Sequence, residues 1–242
     1  VVTRAREKAS ELRSRLEAFG AEVLELPSIA FDASSDADRL RRAVAAGIGR
    51  YDWVVFTSPT GVERTVAAIS EAGLDARAFA GSRIAAIGPG TAAALAASGL
   101  RSDLVPEDFV AEALAEAMPD GPGRVVLFRA EEAREVLPDR LAAKGWTVDV
   151  IPAYRTVLGE GDADARRHLQ RGEVDAVTFT SSSTVTNFLR LVGEVPRPPV
   201  IACIGPVTAR TAEERGWPPT VVAATSTLDG LVEALCRSLS PR

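Results

Sequence analysis

The sequence has few of the side chains on which many catalytic sites depend. It contains one histidine, His168, in the polar helical stretch DADARRHLQRGE, which excludes a Ser/His/Asp triad and a histidine metal site. We expect His168 to occupy a solvated helix position. The only cysteines, Cys203 and Cys236, lie far apart without metal-ligand or redox spacing, so buried thiols are predicted and no metal is expected.

Lysine, net positive charge and long apolar runs are also scarce. Only Lys8 and Lys144 of the 28 basic residues are lysine, which leaves little room for Schiff-base chemistry and makes arginine the main partner for carboxylates. The net charge of −5 argues against a nucleic-acid partner but not against an anionic small molecule. No apolar run reaches the roughly 18 residues of a membrane helix and no signal-like start is seen, so we expect a cytoplasmic protein without a membrane partner.

The chain nevertheless has enough apolar material for two cores. Its 242 residues exceed the usual domain of about 100 to 200 residues, and 46% of them are apolar. An internal repeat supports this division. The block around Arg4 recurs around Arg129, a shift of 129 − 4 = 125, and YDWVVFTSPTGV from Tyr51 recurs as VDAVTFTSSSTV from Val174, a shift of 174 − 51 = 123.

A third block extends the repeat. IAAIGPGTAAALAASGL from Ile84 matches IACIGPVTARTAEERGW from Ile201, a shift of 201 − 84 = 117. The first copy therefore has 123 − 117 = 6 extra residues, which we place in a surface loop around EAGLDARAFAGS. Strands that alternate with helices at this spacing predict parallel α/β sheets.

Hydroxyl-rich turns follow the predicted strands in both copies. Ser58 is a candidate helix cap, FTSSSTV supplies Ser181 and Ser182, and the GPGTA and GPVTA segments place Thr91 and Thr208 at helix starts. Parallel sheets bind ligands at the carboxyl ends of their strands, and helix N-termini attract anions, so these turns predict anion sites made by backbone N–H groups. Ordinary helix caps are the alternative for any one turn; four turns facing one cleft favour anion binding.

Two arginines and one tyrosine are further candidates. Arg4 and Arg129 are repeat-equivalent at the ends of predicted strands, where they either pair with carboxylates or are ordinary surface arginines. Tyr154, one of two tyrosines, lies in the predicted linker IPAYRT, where it either projects its phenol into a cleft or packs the linker.

A nucleotide-binding alternative rests on one pattern. Gly88, Gly90 and Ala93 satisfy G-x-G-x-x-A, which would suit a nucleotide-sugar transferase with two Rossmann-like domains. Val207 replaces the middle glycine in the second copy, which counts against this interpretation.

The motifs taken together carry a resemblance that spans nearly the whole chain. They are TRARE at Thr3, LPSIAF at Leu26, FTSPTGV at Phe56, AIGPGTA at Ala86, IPAYRT at Ile151, FTSSSTV at Phe179 and CIGPVTA at Cys203. In this order and spacing they resemble the uroporphyrinogen-III synthase family. The resemblance implies two flavodoxin-like parallel-sheet domains, joined by the linkers LPSIAFDASS and IPAYRTVLG, with the active-site cleft between them. Residues 1–33 and 157–242 would form one domain and residues 34–156 the other.

The resemblance also implies a function. Members are lyases that cyclise linear hydroxymethylbilane to uroporphyrinogen III with loss of water and inversion of the terminal pyrrole ring, and they need no cofactor. Tyr154 would donate a proton to the leaving hydroxyl. The polycarboxylate substrate would be bound by Thr3, Arg4, Ser58, Thr91, Arg129, Ser181, Ser182 and Thr208.

Other expectations concern partners. We expect a monomer, and the resemblance permits a fused or associated uroporphyrinogen methyltransferase. A non-catalytic tetrapyrrole-sensing module of the same fold is the alternative function.

Overall fold

The computed structural model describes residues 1–239 and divides into two units. Unit 1 contains Val1–Phe31 and the chain from Val157 onward, and unit 2 is Asp32–Thr156. The sequence placed these boundaries after residue 33 and before residue 157. Within residues 1–239, no helix has the length and apolar character needed to cross a membrane.

Strands and helices alternate along most of the chain. The strands are β1 (Ile29–Asp32), β2 (Trp53–Phe56), β3 (Arg83–Ala86), β4 (Gly123–Ala130), β5 (Trp146–Leu158), β6 (Ala176–Phe179), β7 (Val200–Cys203) and β8 (Val221–Val222). The helices are α1 (Arg6–Glu17), α2 (Ala37–Ala45), α3 (Pro59–Glu71), α4 (Pro89–Ala97), α5 (Ala111–Ala117), α6 (Val136–Ala143), α7 (Ala163–Arg171), α8 (Ser182–Val192), α9 (Pro206–Glu214) and α10 (Leu228–Leu239). Two short 3₁₀ helices, Ile48–Arg50 and Ala76–Phe79, complete the elements of residues 1–239.

The larger sheet has the strand order β1-β5-β4-β2-β3, and its strands β2, β3 and β4 lie wholly in unit 2. Strand β2 pairs in parallel with β3 and β4, and β4 pairs in parallel with β5. All four residues of β2, the run WVVF, are buried, as expected for a central parallel strand covered on both faces. Phe56 stacks on Phe128 of β4, with ring centroids 5.6 Å apart.

Unit 1 repeats this arrangement with shorter strands. Its sheet has the order β6-β7-β8, and Val2 extends it through parallel bridges to Thr178 on one side and Glu25 on the other. Phe188 of α8 packs edge-on against Phe179 and Trp217, at centroid distances of 5.2 and 5.4 Å.

Strand pairing confirms the internal repeat. Val55 pairs with Leu127 in unit 2, and Thr178 pairs with Val2 in unit 1. The two pairs are related by the shifts found in the sequence, 178 − 55 = 123 and 127 − 2 = 125. The same sequence shifts therefore relate the strand pairing of the two units as well as their residue types.

The extra residues of the first copy form more than a loop. The stretch from Glu71 to Arg77 is exposed, as predicted, but the following Phe79 is 4% exposed. Its ring lies 6.3 Å from that of Phe56. The surface-loop prediction is wrong at this residue because the insertion adds an aromatic side chain to the core of unit 2.

The two predicted linkers are strands. β1 and β5 are neighbours in one sheet, and both cross the boundary between the units. LPSIAFDASS contains β1, and IPAYRTVLG contains the end of β5.

Candidate active site

The N-terminus of α3 lies directly after the carboxyl end of β2. Ser58 is the N-cap, with its Oγ accepting a hydrogen bond of 3.0 Å from the Gly61 N–H, and Pro59 is the first helical residue. A Cβ added to Gly61 would lie 3.1 Å from the Phe128 carbonyl oxygen and 3.2 Å from Ser58 Oγ. Glycine therefore allows the helix to approach the end of β4 closely.

Tyr154 reaches this cap from β5. Its phenol donates a hydrogen bond of 2.9 Å to Ser58 Oγ, and its side chain is buried, with 6% exposure. Burial raises the pKa of the Tyr154 phenol. The phenol is therefore protonated at neutral pH and directed at the serine oxygen.

A β-bulge sets the position of Tyr154. Arg129 of β4 is paired with Pro152, but the next residue, Ala130, is paired with Tyr154, so that Ala153 is the extra residue. Bulges redirect side chains and accommodate proline, which has no N–H for the ladder. The dipeptide before Tyr154 thus turns its side chain towards Ser58.

The equivalent helix start in unit 1 is capped differently. Ser181 is the N-cap of α8, and Thr184 completes a capping box by accepting from the Ser181 N–H at 3.1 Å. Ser182 Oγ lies 2.7 Å from Thr211 Oγ1 of α9. The hydroxyl groups of this turn are therefore bonded within unit 1.

Glycines, not threonines, cap α4 and α9. Gly88 and Gly205 are the N-caps, whereas Thr91 and Thr208 are buried two residues inside the helices. A Cβ on Gly88 would lie 3.1 Å from Phe109, and one on Gly205 would lie 2.4 Å from Ser226 Oγ. Each glycine cap therefore lies close to a neighbouring loop: Gly88 to the loop that contains Phe109, and Gly205 to the loop that contains Ser226.

Only some of the predicted backbone donors are available. The Ser181 N–H is bonded to Thr184, and the Thr91 N–H donates to the Gly88 carbonyl at 3.1 Å, which corrects the prediction for these two amides. The Ser58 and Thr208 N–H groups donate to none of residues 1–239.

Sequence reasoning missed four further backbone amides, which lie at the second position of each of the four helices. These amides also donate to none of the described residues, and they belong to Thr60, Gly90, Ser183 and Val207. Each of the four helices therefore presents at least one unpaired amide at a carboxyl sheet edge, where the helix dipole favours anions.

The repeat-equivalent arginines are not ordinary surface residues. Arg129 is 6% exposed; it donates to the Arg134 carbonyl at 2.9 Å and pairs with Glu135, the N-cap of α6. Its buried Nε has no hydrogen-bond partner among residues 1–239, and the same holds for Nη1 of the half-buried Arg4. Burial lowers the pKa of the Arg4 guanidinium. Each guanidinium thus keeps one buried N–H donor without a partner among residues 1–239.

Thr3 has a structural contact. Its side chain is fully buried and donates a hydrogen bond of 2.7 Å to the Thr178 carbonyl. This bond ties the first residues of the chain to β6, so the Thr3 hydroxyl is not available to a substrate.

The remaining titratable candidates lie outside these turns. His168 is half-buried on α7, with Nδ1 2.9 Å from Glu173. Cys203 is buried, and burial raises the pKa of its thiol to about 12, whereas Cys236 is only half-buried, which corrects that prediction. Residues 1–239 contain no group of three or more His, Cys, Asp or Glu side chains placed to bind a metal ion.

A family model described as "Uroporphyrinogen-III synthase HemD" matches residues 10–233. The chain belongs to the uroporphyrinogen-III synthase family. This synthase family comprises cyclising enzymes of tetrapyrrole biosynthesis.

Relatives support the same assignment. The uroporphyrinogen-III synthase of Synechococcus elongatus is 33% identical, and the match covers 97% of this chain and 93% of that protein. The porphyrin biosynthesis protein HemD of Ruminiclostridium josui is 32% identical over 97% of this chain, which spans 47% of that relative's length. A solved structure of a mutant uroporphyrinogen III synthase from the extremely thermophilic bacterium Thermus thermophilus is 25% identical, with a TM-score of 0.67 and coverage of 98% of this chain and 97% of that one.

Proposed function

We propose that this chain converts hydroxymethylbilane to uroporphyrinogen III, with loss of water and inversion of the terminal pyrrole ring. The observation that carries the proposal is the set of unpaired amides at the four helix N-termini of α3, α4, α8 and α9. Such termini bind carboxylates without positive side chains. They allow a protein of net charge −5 to hold a polycarboxylate substrate.

Two arginines supplement these amides. The unpaired Nε of Arg129 and Nη1 of Arg4 supply charged donors for substrate carboxylates. Thr3, Ser182 and the buried Thr91 and Thr208 support the turns, and we assign their side chains no direct substrate contact.

Catalysis is then largely a matter of position. A flexible linear tetrapyrrole must be folded until its two ends meet, and its terminal hydroxyl must leave to give an electrophilic azafulvene. The Tyr154 phenol is the ultimate source of the proton for this departure, because burial keeps it protonated. That the substrate occupies a cleft shared by both units stays a prediction, as do a monomeric state, a cytoplasmic location and an associated methyltransferase.

The sensing module is the weaker alternative. Nothing in the turns favours binding without turnover, and the relative from Synechococcus elongatus, covered over 93% of its length, is named a synthase.

The test is product analysis. Purified chain is added to enzymatically generated hydroxymethylbilane, the products are oxidised, and type I and type III uroporphyrin are separated. We expect mainly type III. Type I at the level of the protein-free control, together with tight tetrapyrrole binding, would favour the sensing module.

A further inference from the structure

The hydrogen bond between Tyr154 and Ser58 has a direction that matters for proton transfer. The phenol donates to Ser58 Oγ at 2.9 Å, so its proton points at the serine and not at a ligand. The phenol is 6% exposed, whereas Ser58 is half-buried. The serine hydroxyl is therefore the more accessible of the two groups.

The bonding of Ser58 also fixes where its own proton goes. A serine hydroxyl accepts two hydrogen bonds and donates one. Both acceptor positions of Ser58 are filled, by the Tyr154 phenol at 2.9 Å and the Gly61 N–H at 3.0 Å, and the hydroxyl proton is donated to no residue in the range 1–239. The proton is thus available to a ligand at the N-terminus of α3.

We propose that Ser58 is the group that protonates the leaving hydroxyl, and that Tyr154 replaces the proton that Ser58 gives up. This inference rests on the proposed function. The carbon–oxygen bond of the substrate breaks with its electron pair on oxygen, and the Ser58 proton converts that oxygen to water. The phenol proton moves to Ser58 Oγ and leaves a phenolate, which the pyrrole N–H proton released in azafulvene formation neutralises. No other reactant is needed.

Unit 1 contains the equivalent serine without the phenol. Ser181 is the repeat equivalent of Ser58, since 58 + 123 = 181, and it is also an N-cap. Its Oγ accepts from the Thr184 N–H at 3.2 Å and lies 2.9 Å from Ser183 Oγ. The position equivalent to Tyr154 is Ile29, since 154 − 125 = 29, so no phenol stands behind this serine.

The experiment compares kcat for uroporphyrinogen III formation in Ser58→Gly, Ser58→Thr, Tyr154→Phe and the control Thr227→Gly. Thr227 lies at the start of α10, outside the proposed site, and its Oγ1 accepts from the Gly230 N–H at 3.0 Å, as Ser58 Oγ accepts from the Gly61 N–H. Glycine is a tolerated N-cap, so both glycine variants should fold, and circular dichroism checks this. We expect Ser58→Gly to lose on the order of 10²-fold and at least as much as Tyr154→Phe, with Ser58→Thr restoring most of the rate. Thr227→Gly should change kcat by less than about threefold.

The solvent isotope dependence of kcat distinguishes a proton relay from a Ser58 that only positions Tyr154. In mixtures of H₂O and D₂O, two protons that move together give a curved dependence of kcat on deuterium content, and a single proton gives a straight line. A straight line for the wild-type chain, or a larger loss in Tyr154→Phe than in Ser58→Gly, would overturn the relay while the synthase function stands. A wild-type chain without type III product would overturn both.

Discussion

The β2–α3 turn of unit 2 and the β6–α8 turn of unit 1 share a backbone and differ in their neighbours. Their serine caps have φ and ψ of −163° and 153° at Ser58, and −165° and 163° at Ser181. Ser58 is contacted by a phenol from β5, whereas Ser181 is held by a capping box within its own helix.

This difference teaches that the repeat preserves the serine cap and its backbone but not the phenol that contacts it. Unpaired second-position amides occur at all four helix starts, two in each unit. The phenol occurs in one unit only, because Ile29 occupies the equivalent position in the other. The duplicated scaffold therefore has amides that are unpaired among the described residues in both units, but a phenol bonded to the serine cap in one unit only.

The largest effects are expected at the two residues of the proposed proton relay, Ser58 and Tyr154. Tyr154→Phe keeps the buried ring but removes the phenol proton, so kcat should fall on the order of 10²-fold with KM little changed. Since the pKa of Tyr154 is raised, the wild-type rate should show no loss attributable to this phenol between pH 7 and its usual value of about 10. Stopped assays across that range test this. Near-normal turnover of a well-folded variant would remove Tyr154 from the reaction.

Substitutions at the third helical residue should lower the free energy of unfolding by different amounts in the two turns. Gly61→Thr places a side chain against the Phe128 carbonyl, 3.1 Å from the new Cβ, and should cost about 2 kcal/mol in free energy of unfolding. Thr184→Gly removes the capping box of α8 and should cost about 1 kcal/mol. Urea unfolding of both variants measures which one loses more free energy of unfolding. Gly61→Ala, which adds only the Cβ, is the control with the smaller side chain. Equal losses would contradict the account of the close approach.

The next prediction concerns Arg4 and Arg129, the repeat-equivalent arginines of the two units. Arg129→Met and Arg4→Met replace each guanidinium by an apolar chain of similar length. Loss of one charged donor to a carboxylate should raise KM about tenfold in each variant, equivalent to about 1.4 kcal/mol, with kcat nearly unchanged. Steady-state kinetics with lysine variants as controls tests whether the planar fork matters. An unchanged KM would assign both arginines to structure alone.

The smallest effect concerns a contact present only in unit 2. The Glu131 carboxylate accepts from the Ser35 hydroxyl and the Ser35 N–H, which lower the pKa of Glu131 below its usual value. A lowered folded-state pKa gives stability that is present above about pH 4.3 and is lost as pH falls through the folded-state pKa.

Glu131→Gln should therefore flatten the acid limb of a plot of Tm against pH. Glu132→Gln makes the same charge change one residue along the chain and should leave the limb unchanged. Identical behaviour of the two variants would mean that the contact with Ser35 does not contribute.

Local features of this molecule were predictable from the sequence, and features that depend on distant packing were not. The parallel α/β sheets followed from the repeat, and the Ser58 cap followed from residue type and position. The bulge at Ala153 depends on pairing with β4, and Pro152 was its only local signal. The burial of Arg129 depends on the docking of α6, whose N-cap Glu135 lies six residues further on.

The central claim is that one of two duplicated turns carries out the proton transfer. The most direct test is the ratio of kcat for uroporphyrinogen III formation in Ser58→Gly to that in the control Thr227→Gly. The account predicts a ratio on the order of 10⁻². A ratio near one, with both variants folded, would contradict it.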